Sequence, residues 1–295
     1  DRLDRWIDMC KRCGIKYFEM SHLFTQWGAE HAPKIIAEVD GEEKRIFGWE
    51  TDADSAEYCD FLRRFAVALT AFIDKKWIRN FCRFHVSDEP SLEQYETYKK
   101  RADIIAEIFP GFKVIDALSD IEFFDKGAVK YPIPSEDHVE DFVGKVDEIW
   151  TYYCCGQHNK DVPNRFFAMP SARNRILGAL LYKYNAVGFL QWGYNFWYSQ
   201  FSKHEIDPFT VTDAGKAFPS GDAFVVYPGE NGQPLNSLRL KVFYDGLQDF
   251  AAMRLLESLV GREKALEIIV RDDEFSFLKY PHGSSYLIAL RERVN

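Results

Sequence analysis

Apolar and polar positions along this chain follow two spacings, one typical of helices and one typical of buried strands. Residues 54–75 repeat apolar side chains every three or four positions and begin at Asp54 or Ser55, either of which suits a helix N-cap. Residues 1–13 have the same helical spacing and are followed by Gly14, which favours a helix C-cap. Short apolar runs without that spacing, such as residues 15–21, predict strands.

The alternation of strands and helices continues along the chain. Further strands are predicted at residues 81–87, 113–119, 148–155, 186–192 and 222–227. Helices are predicted at residues 91–109, 138–145, 171–185 and 238–260, with two shorter helical stretches after them. Strands and helices in regular succession indicate an α/β protein with a parallel sheet, either open and doubly wound or closed as a barrel.

The position of the polar and aromatic residues decides between these two sheets. A dinucleotide-binding sheet normally has a glycine-rich phosphate turn after its first strand, and the sequence contains no GxGxxG or GxxxxGK. Polar and aromatic side chains instead follow the strands, as on the active face of a barrel. We therefore predict a (β/α)8 TIM-type barrel over residues 1–295 as a single domain, completed by C-terminal helices from about residue 238. The pattern yields six strands, so the first two are expected to precede this chain.

Composition and charge narrow the class of ligand. The 295 residues carry a formal net charge of -9 with a pI near 5.4, which opposes binding to nucleic acid or to an anionic membrane. Aromatic residues make up 16% of the chain. Sugar rings stack their apolar C–H faces on aromatic side chains, while their hydroxyls bond polar groups. A carbohydrate is therefore the favoured ligand.

The cysteines and the longest apolar runs bear on localisation. No run approaches the roughly 18 residues that a membrane span requires, and the first residues lack a signal-peptide pattern, so the chain is expected to be soluble. The six cysteines do not have the spacing of a metal site or a disulfide framework, and no metal or cofactor is predicted. Free thiols favour a reducing compartment such as the cytoplasm. The native localisation stays open.

The sequence HVSDEP, residues 85–90, places two adjacent carboxylates, Asp88 and Glu89, at the end of a predicted strand. Neighbouring side chains of a regular strand leave on opposite faces, so a pair that serves one ligand must lie where the pleat ends. Such a pair suits acid–base chemistry. Spacing alone leaves an alternative open, because the same residues can cap the helix predicted at 91–109.

A second group of candidate residues follows the predicted strand at 186–192. Trp192, Tyr194 and Trp197 lie just beyond the strand end, beside Asn195, where we expect them to face a ligand. Aromatic residues at helical spacing are instead expected to belong to the core. Four further residues are expected to bond backbone or to form ion pairs: Asp116, Asp222, Arg173 and Arg175.

Several longer motifs resemble one bacterial family. FHVSDEP, EIWTYYCCGQ, NRFFAMPSARNRILGALLYKYNAVGFLQWGYNFW and PSGDAFVVYPG, in that order, are similar to the family known as domain of unknown function 4091. That family is related to glycoside hydrolase family 123, the β-N-acetylgalactosaminidases, and includes exported members. The likeness covers nearly all of the chain. It implies a (β/α)8 catalytic barrel with the acidic pair at the end of the fourth strand, so that residues 15–21 would form the third.

The resemblance also implies how adjacent carboxylates can act. A retaining glycosidase with two enzyme carboxylates holds them about 5–5.5 Å apart on two sides of the sugar. Two residues adjacent in sequence do not suit this arrangement. In substrate-assisted hydrolysis the nucleophile is the 2-acetamido oxygen of the sugar; by resemblance Glu89 is the general acid/base and Asp88 orients the acetamido group. A tyrosine should bond the acetamido carbonyl; because Tyr152 and Tyr153 alternate in direction only one of them should point inward, and we favour Tyr153. The further candidates for sugar contacts are His22 and Trp49.

The leading hypothesis is a retaining exo-glycosidase that releases terminal β-linked N-acetylhexosamine, N-acetylgalactosamine in particular, from a glycan. Two alternatives stay open: a glycosidase of the same barrel with a different sugar specificity, and a glycan-binding barrel without turnover. The presence of both Asp88 and Glu89 favours an enzyme. The sequence leaves the oligomeric state open.

Overall fold

The computed structural model describes residues 2–271 and 274–295, which divide into two compact units. The first unit extends to Ile133 and the second begins at Pro134. Each unit has its own cluster of buried apolar side chains. Asp1, which the sequence pattern assigns to the first helix, lies outside the described residues. The prediction of a single domain over residues 1–295 stays a prediction.

The first unit alternates helices with mostly parallel strands. Its helices are α1 (Arg2–Arg12), α2 (Ala56–Lys75), α3 (Tyr95–Ile108) and α4 (Glu122–Asp125). Its strands are β1 (Phe18–Glu19), β2 (Ile35–Val39), β3 (Glu42–Phe47), β4 (Cys82–Phe84), β5 (Lys113–Ala117) and β6 (Tyr131–Ile133). Strands β1, β4, β5 and β6 form one parallel sheet in that order. Their carboxyl ends therefore meet at one edge of the sheet, where α/β proteins bind ligands.

Helix α2 shows how the hydrophobic pattern builds this unit. The Ser55 side chain accepts a hydrogen bond from the backbone N–H of Tyr58 (3.3 Å), so Ser55 is the N-cap. Tyr58, Leu62 and Ile73 are fully buried on one face of the helix, in the same core as Phe84 of β4. Burial of each large apolar side chain contributes about 1.5–3 kcal/mol, which holds α2 against the sheet.

The long segment after β1 contains a hairpin that the sequence pattern did not predict. Strands β2 and β3 pair antiparallel and turn at Asp40 and Gly41, whose φ angles are 55° and 82°. Two successive residues with positive φ are typical of a type I′ turn, for which Asp-Gly is a favoured sequence. Most of the strand residues are exposed and β3 begins with four charged ones, so the apolar alternation that identifies a buried strand is missing.

The second unit is richer in helix. Its strands are β7 (Trp150–Tyr153), β8 (Gly188–Gln191), β9 (Val226–Pro228) and β10 (Pro234–Asn236). Its helices are α5 (Ser171–Arg175), α6 (Leu177–Lys183), α7 (Leu238–Val260), α8 (Arg262–Ile269) and α9 (Ser284–Val294). Strands β7 and β8 pair in parallel. The helix predicted at residues 138–145 is a 3-10 helix over Glu136–Asp141.

Helices α6 and α7 approach each other most closely at two glycines. A Cβ atom on Gly178 of α6 would lie 1.8 Å from the carbonyl oxygen of Gly246 on α7. A Cβ atom on Gly246 would lie 2.7 Å from the carbonyl oxygen of Arg175. Close to this crossing, Arg175 Nε donates to Asp249 Oδ2 at 2.6 Å, which confirms the ion-pair role expected for Arg175. The backbones therefore pack without room for a side chain between them.

The predicted α/β class with parallel strands is confirmed, but a closed (β/α)8 barrel is not found within the described residues. The strand predicted at 222–227 was expected to be parallel; instead β9 pairs antiparallel with β10. Strand β6 is parallel but was not predicted, because it is three residues long and contains Pro132, which weakens a strand signal. None of the helices in residues 2–271 and 274–295 combines the length and the apolar character that a membrane span requires.

Candidate active site

The adjacent carboxylates lie in the irregular segment between β4 and α3. Asp88 is half-buried, and Glu89 is exposed. The φ angle of Glu89 is 43°, in the left-handed region that residues other than glycine rarely adopt. The helical segment that follows is capped by Ser91 and Gln94, whose side chains and backbones form a capping box. The alternative in which the acidic pair caps this helix is therefore wrong.

Asp88 is held by the segment that follows β1. Gln26 Nε2 donates to Asp88 Oδ2 at 3.0 Å, and the backbone N–H of Trp27 donates to the Asp88 carbonyl oxygen at 3.0 Å. Burial raises the pKa of the Asp88 carboxyl, whereas the hydrogen bond from Gln26 and the nearby His22 act to lower it. The Asp88 carboxyl is therefore fixed in position and retains one oxygen, Oδ1, for a further partner.

Glu89 is held from the opposite side, by strand β5. Its backbone N–H donates to the carbonyl oxygen of Ala117, the last residue of β5, at 2.9 Å. Holding a residue with a Cβ atom at positive φ costs roughly 1–2 kcal/mol. Strain of this kind is concentrated at functional sites, where the surrounding structure maintains it. The turn presents the exposed Glu89 side chain beside the half-buried Asp88.

A buried charged cluster lies next to the segment that carries the acidic pair. His85 Nδ1 lies 3.1 Å from Asp116 Oδ1, and His85 Nε2 lies 2.7 Å from Glu19 Oε1. Asp116 also accepts a hydrogen bond from the backbone N–H of Val86 and another from the Tyr98 hydroxyl. Asp116 therefore bonds backbone, one of the two roles that its sequence position predicted.

The other candidate residues of the first unit occupy two places. His22 follows β1, where its Nδ1 lies 2.6 Å from the Phe24 carbonyl oxygen, and its charge acts on Asp88. Trp49 follows hairpin β2–β3 and is 50% exposed, so its ring is accessible as a platform requires. Trp27, bonded through its backbone to Asp88, is a second accessible ring, 45% exposed. The proposed sugar contacts of His22 and Trp49 stay predictions.

In the second unit, Tyr152 and Tyr153 are the last two residues of β7, and both are buried. The Tyr153 ring has no exposed surface, packs edge-to-face on Phe189 and lies 4.8 Å from the Arg165 guanidinium. Burial raises the pKa of Tyr153, so its hydroxyl keeps its proton at neutral pH. Tyr152 retains 6% exposure. Which of the two tyrosines bonds an acetamido carbonyl stays a prediction.

The aromatic residues after β8 differ in accessibility. Tyr194 and Asn195 are exposed, whereas Trp192 and Trp197 are half-buried. Trp197 Nε1 donates to the Val226 carbonyl oxygen at 3.0 Å, which fixes the indole ring on β9. The Trp192 ring packs against two phenylalanines. A platform role is compatible with the free surface of each ring and stays a prediction.

A buried ion pair adjoins this aromatic cluster. Arg165 Nη1 lies 3.5 Å from Asp222 Oδ1, and neither side chain is exposed. Burial raises the pKa of Asp222 to about 6, against the opposing effect of Arg165. Gly193 passes so close that a Cβ atom there would lie 2.5 Å from the Asp222 carbonyl oxygen. The pairing of Asp222 with an arginine agrees with its predicted role, but the sequence contains no pattern that identifies Arg165 as its partner.

Glu136 was missed by sequence analysis. It lies in a short polar segment, yet its side chain is fully buried, and burial raises its pKa well above the usual value.

The described residues contain no group of three or more His, Cys, Asp or Glu side chains that could hold a metal ion. Carboxylates beside aromatic rings, as described above, can transfer protons and stabilise charge.

Comparison with known proteins first defines the class. The sequence profile of the glycoside hydrolase 123 catalytic domain matches residues 1–256. This match covers most of the chain, which therefore belongs to the glycoside hydrolase 123 family.

A solved structure shares the fold. It is a family 123 glycoside hydrolase from Clostridium perfringens, studied for the details of glycolipid glycan hydrolysis, with a TM-score of 0.68 and 16% sequence identity. The similarity covers 99% of this chain and 53% of that one, so this chain spans about half the length of its structural neighbour. No curated protein matches the sequence.

Proposed function

We propose that this member of the glycoside hydrolase 123 family is a retaining exo-glycosidase that removes terminal β-linked N-acetylhexosamine, with N-acetylgalactosamine as the preferred sugar, by substrate-assisted catalysis. The observation that carries the proposal is the contrast between two adjacent carboxylates. Asp88 is half-buried and hydrogen-bonded to Gln26, whereas Glu89 is exposed on a turn at positive φ. The different environments of these two carboxyl groups favour different roles in the reaction.

In the proposed reaction Glu89 is the general acid. It gives its proton to the glycosidic oxygen as the C1–O bond breaks, while the acetamido oxygen of the same sugar forms a bond to C1 from the other face. Asp88 accepts a hydrogen bond from the acetamido nitrogen, and its negative charge stabilises the positively charged ring intermediate. Water then attacks C1, Glu89 takes a proton from that water, and the acetamido oxygen leaves C1. Two inversions at C1 retain the configuration.

The environment of Asp88 suits this role. Burial strengthens the interaction between a carboxylate and a developing positive charge, because less water screens it. The hydrogen bond from Gln26 occupies Oδ2 and leaves Oδ1 for the acetamido group. The proposed scaffold is a (β/α)8 barrel, supported by the parallel order β1-β4-β5-β6 and by the similar fold of the Clostridium perfringens enzyme. The proposed partner is a glycan with a terminal N-acetylhexosamine.

The test is a pair of aryl glycosides with the same leaving group, one an N-acetylgalactosaminide and one a galactoside. We expect the first to be hydrolysed at least about a hundredfold faster, because the second lacks the internal nucleophile. A thiazoline analogue of the cyclic intermediate should inhibit. Equal rates on the two sugars would exclude the acetamido group as nucleophile. Binding of the amino sugar without hydrolysis would favour the alternative of a glycan-binding barrel.

A further inference from the structure

Glu19, His85 and Asp116 form a row of charged side chains across three neighbouring strands. Glu19 belongs to β1 and is half-exposed, His85 follows β4 and is buried, and Asp116 belongs to β5 and has no exposed surface. The two ring nitrogens of His85 lie 2.7 and 3.1 Å from carboxylate oxygens of Glu19 and Asp116. The row therefore leads from solvent to the interior of the sheet.

The contacts of His85 determine its protonation state. A neutral imidazole has one N–H group and one lone pair, so one ring nitrogen would present a lone pair to a carboxylate oxygen. An imidazolium donates to both carboxylates. Burial alone would lower the pKa of His85, but the close contacts with the carboxylates of Asp116 and Glu19 outweigh burial and raise it to about 10. His85 is therefore a buried cation at neutral pH.

The same cluster fixes the backbone that leads to the acidic pair. Both oxygens of Asp116 accept a hydrogen bond from the backbone N–H of Val86 at 3.1 Å, two residues before Asp88. Ser87 Oγ donates to the carbonyl oxygen of Thr25 at 2.7 Å, which attaches the next residue to the segment after β1. The position of Asp88 thus depends on Asp116, and Asp116 depends on His85 to balance its charge.

We propose that His85 is a positioning residue for the acidic pair: held as an imidazolium between Glu19 and Asp116, it fixes the segment that carries Asp88, and its positive charge favours the ionised form of Asp88. This inference rests on the proposed function, in which Asp88 must be an anion beside the acetamido nitrogen. Burial is the main cause of the raised pKa of Asp88; the charge of Asp116 raises that pKa further, whereas His22 and His85 lower it. Tyr98, from α3, is the other titratable group on Asp116.

The pH dependence of kcat/KM tests the role of the charge. In His85→Gln the amide keeps a polar side chain without the positive charge, so we expect the acidic limb of the profile to move up by about one pH unit. Asp116→Asn removes a negative charge near Asp88, and the acidic limb should move down. If the role of His85 were purely structural, its substitution would lower kcat/KM by the same factor at every pH and would not move the acidic limb of the profile. His282→Gln is the control, since His282 is an exposed histidine beside Asp161.

NMR of the unmodified protein tests the protonation state without relying on activity. With the seven histidines labelled with ¹⁵N, we expect one ring to keep both N–H protons at about pH 8, where an unperturbed histidine is neutral. Its signals should shift in Glu19→Gln, which assigns them to His85. A neutral His85, or an acidic limb that does not move in His85→Gln, would overturn this inference. Undiminished activity in Asp88→Asn would overturn the proposed function. That result is independent of the protonation state of His85, which the NMR experiment measures, so the two failures can be told apart.

Discussion

At the scale of single residues, the positive φ angle of Glu89 leads to a prediction about the free energy of unfolding. Glu89→Gly and Glu89→Ala both remove the carboxylate, but only alanine keeps a Cβ atom at φ 43°. We expect the glycine variant to be more stable by about 1 kcal/mol, measured by urea unfolding. The same pair of substitutions at Glu93, in the 3-10 helix Leu92–Gln94, should give the opposite order. Equal stabilities at position 89 would show that the turn relaxes without strain.

The division of labour between the two acids is also a prediction at this scale. Glu89→Gln should slow substrates with poor leaving groups far more than activated aryl glycosides, because the latter need little acid assistance. Asp88→Asn should slow both, by about 100-fold or more, since it removes the charge that stabilises the intermediate. Steady-state rates on a series of aryl leaving groups measure the difference. The same leaving-group dependence in both variants would argue against separate roles.

The buried carboxyl of Asp222 predicts how stability changes with pH. Its pKa is raised from the usual 3.8 to about 6, so the folded protein binds this proton more tightly than the unfolded chain. The stability contributed by that proton is present in full below about pH 4 and is lost as the pH rises through about 6, a change of roughly 3 kcal/mol. Unfolding free energies of the native protein and Asp222→Asn should converge or cross over this range. A constant difference would contradict the shifted pKa.

At the scale of elements, the crossing of α6 and α7 depends on two glycines. Gly178→Ala should destabilise the protein by about 3 kcal/mol, because its Cβ atom would overlap the carbonyl oxygen of Gly246 unless the helices separate. Gly283→Ala is the matched control: its nearest contact would be Ser285 Oγ at 3.5 Å, so we expect a change of less than about 1 kcal/mol. Thermal or urea unfolding measures both. Similar effects would mean that α6 and α7 shift easily.

The elements also show what the sequence can and cannot predict. Strands β5 and β7 were predicted because their apolar runs are buried, whereas hairpin β2–β3 and strand β6 were not, because β3 begins with four charged residues and β6 contains Pro132. The acidic pair was identified from the local sequence HVSDEP. Its partner Gln26 lies 62 residues earlier, and no local pattern reports a hydrogen bond between distant segments.

At the scale of the whole molecule, the rates at which the cysteines are alkylated measure how readily the folded protein opens. All six cysteines are free; Cys10 and Cys82 are buried and Cys13 is exposed. Burial raises the pKa of Cys82 to about 11, and the thiolate is the reactive form. Peptide mapping after alkylation should therefore find Cys13 modified first, and Cys10 and Cys82 only in urea that unfolds the first unit. Rapid modification of Cys82 in the native protein would show that this unit opens more readily than its packing implies.

The separate attachment of the two acids has a consequence for engineering. Asp88 is tied to Gln26 and Trp27, whereas Glu89 is tied to Ala117. Substitutions at residues 24–27 therefore leave the support of Glu89 in place, and substitutions at Ala117 leave that of Asp88 in place as long as Asp116 is kept. A designer who wants the enzyme to build glycans must favour a sugar acceptor over water in the second step. Under the proposed mechanism, libraries at residues 24–27 would adjust the lifetime of the intermediate, and libraries at Ala117, with Asp116 kept, would adjust how the acceptor is activated.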